Sequence, residues 1–290
     1  MITRGAQFAT ESQRHRESKI VCSASLWLCG FLIFVFLCLC GASPASAQPP
    51  LPRPEAPAAS PDFLTHYNFH LSGDALSIDD PRFSWQTHFG GDIDLVDYVA
   101  GRANILMDYE AVLGDQLRIF DPNQGNYTLE ASASLRAGAT EIAGMLHHVS
   151  RHLSDRPKDF AIAWNVVGVR ALRRVTAGGA TIDLQGSAGR VIARAYVDYA
   201  WTGDADVVIR QPVNAHVGVF AHGLGELFGV EPALSGRDTQ RGGRLEGGLR
   251  LNGRAGAVEL FAGIERRVDA DPLDRQRQRW IFVGFRFVSR

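Results

Sequence analysis

The chain has 290 residues, 46% of them hydrophobic, and its 30 basic and 31 acidic side chains leave a net charge of −1. That near-balance supplies no basic surface and sets nucleic-acid binding aside. All four cysteines (Cys22, Cys29, Cys38 and Cys40) precede residue 41, so the remaining chain has no disulfide framework, thiolate metal site or cysteine nucleophile.

The first element reads as an export leader. Arg14, Arg16 and Lys19 form a basic flank, residues 26–39 an apolar run, and Ala45-Ser46-Ala47 a small-residue exit. Those parts, in that order, mark a secretory signal peptide over residues 1–47. The run falls short of the roughly 20 residues that a spanning helix needs. Leu39 before Cys40 does not suit a lipoprotein. Residues 48–61 (QPPLPRPEAPAASP) are rich in proline and alanine and are expected to form an extended spacer. Beyond the leader 26 basic and 29 acidic residues remain, and Lys158 is the one lysine among them.

From Asp62 onward the signal is alternation. In residues 128–137 (TLEASASLRA), Leu129, Ala131, Ala133, Leu135 and Ala137 share one face, and Thr128, Glu130, Ser132, Ser134 and Arg136 the other. Leu245, Leu249 and Leu251 interleave with polar residues and glycine, residues 258–264 alternate less strictly, and residues 280–288 form the last strand. Helical spacing is kept in none of them. The fold class is all-β.

Short turns are expected at 101–102, 137–140, 177–180, 187–190, 203–204 and 252–256, and longer polar connections at 121–126, 151–158, 229–242 and 268–278. Outer-membrane barrels alternate tight periplasmic turns with longer outer loops. Counting back from a last strand that ends in the periplasm puts every short turn except 187–190 on that side. The expectation is a transmembrane antiparallel up-and-down β-barrel of about twelve strands, with ten to fourteen as the range, over residues 62–290. The weakest joints are Arg210-Gln211-Pro212, where proline interrupts a presumed strand, and residues 113–116. Trp85, Tyr98, Tyr127, Trp201 and Phe228 near strand ends suit an interface belt. The terminal strand resembles the assembly signal of outer-membrane proteins, although Val288-Ser289-Arg290 follow Phe287. A soluble periplasmic β-barrel or sandwich with a dry core is the alternative.

Chemistry concentrates in residues 145–156 (MLHHVSRHLSDR). With period two, Leu146, His148, Ser150 and His152 share a face. An imidazole beside a serine supplies the base that its hydroxyl needs in order to attack at neutral pH. Asn165 on the next strand is placed to orient it. Three readings stay open: a polar lumen wall or loop base, a serine hydrolase using His148, Ser150 and Asn165, or a divalent-metal site at His148, His152 and Asp155. Arg170, Arg173, Arg174, Arg190 and Arg194 are candidates to line a lumen with Asp183, Asp198 and Glu246, as ordinary interior ion pairs. His216 and His222 read as scattered polar positions.

His148-x-Ser150 followed by Trp164-Asn165 resembles the outer-membrane phospholipase A family. That resemblance implies a twelve-stranded barrel, a His–Ser–Asn site at the outer rim, a divalent cation such as calcium, and dimerisation. The serine-to-asparagine interval is longer here, and Ser150-Arg151-His152 replaces the family's Ser-Asn-Gly. The same stretch also resembles an uncharacterised bacterial barrel family with a His-x-Ser-Ser-His-x-Gly-Asp-Glu strand, keeping its histidines, serine and aspartate and losing its glycine and final glutamate. No cofactor is fixed by the residues themselves. The expected partners are outer-membrane lipids and the barrel assembly machinery. The leading function is an outer-membrane barrel, closed or narrow, without assigned chemistry; the alternative is a lipid-ester hydrolase.

Overall fold

The computed structural model describes residues 53–154, 156 and 158–289. The expected leader and Asp155 therefore lie outside the described residues. Strand β1 (Asp62–Phe63) is a two-residue start. Twelve long strands follow: β2 (Tyr67–Ser77), β3 (Trp85–Asp97), β4 (Arg102–Gly114), β5 (Asp121–Ala137), β6 (Thr140–Leu153), β7 (Ala163–Ala177), β8 (Ala180–Ala195), β9 (Tyr199–Pro212), β10 (Val217–Val230), β11 (Gln240–Asn252), β12 (Gly256–Asp271) and β13 (Gln276–Ser289). The one described helix, α1 (Pro232–Ser235), is a single turn in the β10–β11 loop.

Each long strand pairs antiparallel with its chain neighbours, and β13 pairs with β2 from Ile281↔Ser77 to Val288↔His70. The sheet is closed, with β1 added against β3. Closure leaves the twelve-strand wall without an edge, as a strand structure in lipid requires. The connections at one end are short (98–101, 138–139, 178–179, 213–216 and 253–255), and those at the other end include 78–84, 154–162 and 231–239. By the outer-membrane pattern the first end faces the periplasm.

Alternation decides which medium each face meets. Outward positions are apolar and exposed: Ile142, Leu146, Val167, Val169, Leu260, Ile264, Ile281 and Val283 among them. Inward positions carry buried charge instead, including Asp74, Asp108, Glu110, Glu130, Arg170, Arg244, Glu246, Glu265 and Arg267. This inside-out distribution suits hydrocarbon around the wall and polar contacts within it. In water, the soluble alternative leaves that whole belt unburied. The chain is a transmembrane β-barrel of the outer-membrane type.

The interior is held by ion pairs that cross the lumen. Arg244 reaches Asp74 at 2.8 Å, Glu246 at 2.7 Å and Glu265 at 3.1 Å, and its guanidinium lies 3.7 Å above the Phe282 ring centre. Arg286 joins Glu246 and Glu259, Arg267 joins Glu110, Arg170 joins Glu130, and Arg102 joins Asp94 and Glu141. Asp108 accepts from His70 at 2.7 Å and from His88 at 2.8 Å.

Twelve strands matches the expectation, but two joints move. Residues 187–190 and 203–204 lie inside β8 and β9, and the turns fall at 196–198 and 213–216. The glycines there mark close packing. Gly168 and Gly189 oppose each other across β7 and β8, and a Cβ on Gly168 would meet the Ala188 carbonyl oxygen at 2.5 Å. Residues 121–126 belong to β5, with Asp121, Gln124 and Asn126 buried; their polarity reflects a polar lumen rather than a loop. Pro212 ends β9 instead of interrupting it. Phe228 points into the lumen, its ring 4.8 Å from Tyr199, and so leaves the interface belt. Arg170 and Arg174 pair inside as expected, whereas Arg173 and Arg190 are exposed on the outer face and Arg194 bonds Glu231 at the outer rim. His222 is built into the lumen between Asp206 at 2.5 Å and Glu246 at 3.3 Å.

Replacing Arg244 by leucine leaves three buried carboxylates facing one another. The expected cost is about 3–5 kcal/mol, read as a lower urea midpoint for the folded, gel-fast band in detergent; an unchanged midpoint refutes the network's role.

Candidate functional site

Strand β6 presents its odd residues to the lumen and its even residues to the outside. Glu141, Ala143, Met145 and Arg151 are buried, while Ile142 and Leu146 are exposed. His148, Ser150 and His152 thus sit on the outer wall, five, three and one residues from the strand's outer end. Asn165 shares this face from β7 and stands directly opposite His148. On the other side, Tyr127 of β5 stands opposite Ser150.

The four predicted polar side chains form two hydrogen-bonded pairs. His148 Nδ1–H donates to Asn165 Oδ1 at 2.8 Å, which leaves Nε2 with its lone pair. Ser150 Oγ lies 3.0 Å from His152 Nε2. The expected His148–Asn165 contact is present, and the imidazole that holds the serine is His152. Ser150 sits between two histidines on the same face, each about 7 Å away along the strand at two residues' rise. The Tyr127 ring meets His152 edge-on at 5.3 Å and Tyr109 at 5.0 Å, so aromatic side chains border the pairs.

The metal reading includes Asp155, which lies outside the described residues. Of its other members, His148 and His152 are four residues apart on one strand and engage Asn165 and Ser150.

The residue between Ser150 and His152 does something that the sequence did not signal. Arg151 points inward and donates to the backbone carbonyls of Asp269 at 2.6 Å and Ala270 at 2.9 Å, and to Gln124 Oε1 at 2.7 Å. There β12 leaves register between Arg267 and Asp271, Asp269 adopts a φ of 46°, and Val268, Asp269 and Ala270 are buried. Tyr199 and Arg237 donate to the Asp269 carboxylate at 2.6 and 2.7 Å. This inward bulge caps a cavity of about 110 Å³ bordered by His88, Asp204, Glu226 and Trp164. At the periplasmic end Arg53 and Pro54 of the proline-rich segment line a second cavity of about 40 Å³ beside Asp183, Glu259 and Arg286. The Ala58 amide donates to Asp97 at 3.3 Å. The described part of the segment is thus held at that mouth, where the Arg53 carbonyl also accepts from Arg102.

No family model matches the chain, and no curated protein does. Among solved structures it is similar to the Acinetobacter baumannii outer membrane protein Omp33, at 12% identity and a TM-score of 0.38, over 77% of this chain and 97% of that one. CdiB from Escherichia coli aligns at 12% identity and a TM-score of 0.43, over 86% of this chain and 66% of CdiB. The translocator domain of the autotransporter NalP from Neisseria meningitidis aligns at 13% and 0.31, over 76% and 86%. Likeness at this level carries no function. The membrane assignment rests on the wall itself.

The His148–Asn165 bond predicts a fixed tautomer. Imidazole ¹⁵N spectra are expected to show His148 protonated at Nδ1 near neutral pH and a mixed tautomer in Asn165→Ala; identical spectra exclude the bond.

Proposed function

We propose that the protein is a sealed outer-membrane barrel that acts at its wall and rims rather than by conducting solutes. One observation carries this reading. Both mouths are occupied by the chain's own segments, the 268–270 bulge outside and residues 53–54 inside, with crosslinked charge between them. The larger internal space, about 110 Å³, accommodates a handful of waters and no solute path. Reconstituted into planar bilayers, the protein is expected to stay at baseline conductance in moderate salt; stable, reproducible channel steps overturn the proposal. In the same reading residues 1–47 are a leader removed on export, and β13 is the strand that the assembly machinery engages.

A second reading is favoured by a separate observation: hydrogen-bonded Ser150–His152 and His148–Asn165 pairs beside the apolar outward residues Leu129, Leu146 and Val167. It makes the outer wall a lipid-ester hydrolase. Ser150 Oγ gives its proton to an imidazole and bonds to the ester carbonyl carbon. The imidazolium then protonates the departing alkoxide, and water, deprotonated by the same imidazole, releases the acyl group from the serine. His152 holds the serine in the ground state, and the Asn165-oriented His148 is the alternative base on its other side. Phospholipid release assays in mixed micelles test it. Measurable hydrolysis is expected from the native chain, falling to background in Ser150→Ala with the folded band intact. Equal release from both chains, or none from the native one, ends the enzyme reading and leaves the sealed barrel standing.

A further inference from the structure

Four arginines cluster on the outer wall at the outer ends of β11, β12 and β13. Arg266 and Arg279 stand directly opposite each other across β12 and β13, with Gly243 opposite Arg266 on the β11 side. Arg241 lies two residues beyond Gly243, and Arg277 two residues beyond Arg279. The same register two residues nearer the membrane reads Leu245, Ile264 and Ile281, with Ile264 and Ile281 well exposed. The arginine row therefore sits immediately above the apolar belt, at the depth of outer-leaflet headgroups.

The row has no internal counter-charge. Among the described residues no side chain of the four makes an ion pair or hydrogen bond, whereas the lumen arginines Arg102, Arg170, Arg244, Arg267 and Arg286 all pair with carboxylates. The charges that act on Arg266 are those of Arg277, Arg279 and Arg241, all of its own sign. Like charges directly across a strand pair repel. Arg266 is nevertheless only 6% exposed, and Gly243 beside it contributes no side chain. Four guanidinium groups side by side without a carboxylate, in a chain whose lumen arginines are held by carboxylates or carbonyls, call for an anion from outside the chain.

We propose that this row binds the phosphate groups of an outer-leaflet glycolipid, with the acyl chains lying on the Leu245/Ile264/Ile281 belt below. Guanidinium groups match phosphate oxygens in fork geometry, and the adjoining apolar strip distinguishes a lipid from a free anion. The row lies across the barrel from His148 and Ser150, five to six strands away, so it stands apart from the hydrolase reading.

The test uses the detergent-purified chain with lipid A, enzymatically dephosphorylated lipid A, and inorganic phosphate as probes. Lipid A is expected to bind in native mass spectra and to raise the unfolding temperature. The dephosphorylated lipid and millimolar phosphate are expected to do neither. Arg266→Gln/Arg279→Gln should weaken lipid A binding at least tenfold. Arg277→Gln/Arg279→Gln, confined to exposed positions, should weaken it severalfold if the buried change prevents folding. Arg173→Gln, at the periplasmic end of β7, should leave it unchanged. Equal binding of the dephosphorylated lipid, full protection by phosphate alone, or undiminished binding by the arginine variants overturns the proposal.

Discussion

In hydrocarbon a strand has no water to satisfy its amides, and the pairing of β13 with β2 removes the last edge where that need would go unmet. The rest follows from this closure. Once the sheet is a ring, alternate side chains meet two different media, and one strand cannot be shifted by a single residue without exchanging its faces. The arginines and glutamates that point inside cannot be hydrated in bulk there and must satisfy one another. Arg244, held by Asp74, Glu246 and Glu265, ties β11 to β2 and β12 at once. The wall fixes the network, and the network fixes the lumen's cross-section.

The same confinement underlies the proposed seal. A wide barrel with charged walls holds water; this one brings segments of its own chain inward from both ends. At the outer mouth the bulge of β12 is fastened by Arg151, Gln124, Tyr199 and Arg237, none of which bonds to it through a carboxylate of its own. At the inner mouth a proline-rich segment, poor at forming any sheet, suits a place where strands have ended. The two ends use different chemistry: neutral carbonyls and one carboxylate outside, and inside an Arg53 whose carbonyl accepts from Arg102 beside Asp183 and Glu259.

The barrel was legible because alternation is a property of sequence alone. In residues 128–137 it reads without ambiguity, and so do the two-residue turns after β5 and β7. The joints that moved failed for a physical reason. Gly189 looks like a turn residue, yet it lets the neighbouring strand approach within the wall, since a Cβ there would meet the Val167 carbonyl oxygen at 2.9 Å. Likewise Asp121 to Asn126 look like a loop only if polar means solvent, and inside a barrel it does not. The shared face of His148, Ser150 and His152 and the opposition of His148 to Asn165 were readable from periodicity. Which histidine takes the serine was not, because that depends on rotamers of neighbours two residues apart on both sides. The arginine row was hidden by composition: with lysine nearly absent, one arginine among many gives no signal until register sets Arg266 against Arg279.

A wall one residue thick also has a mechanical consequence. On β6 the peptide units that carry Ser150 and His152 toward lipid carry Arg151 between them toward the capping bulge. There is no layer of packing in which a displacement on one surface fades before it reaches the other. A molecule that presses against the serine from the membrane side bears, through two peptide planes, on the clasp over the opening.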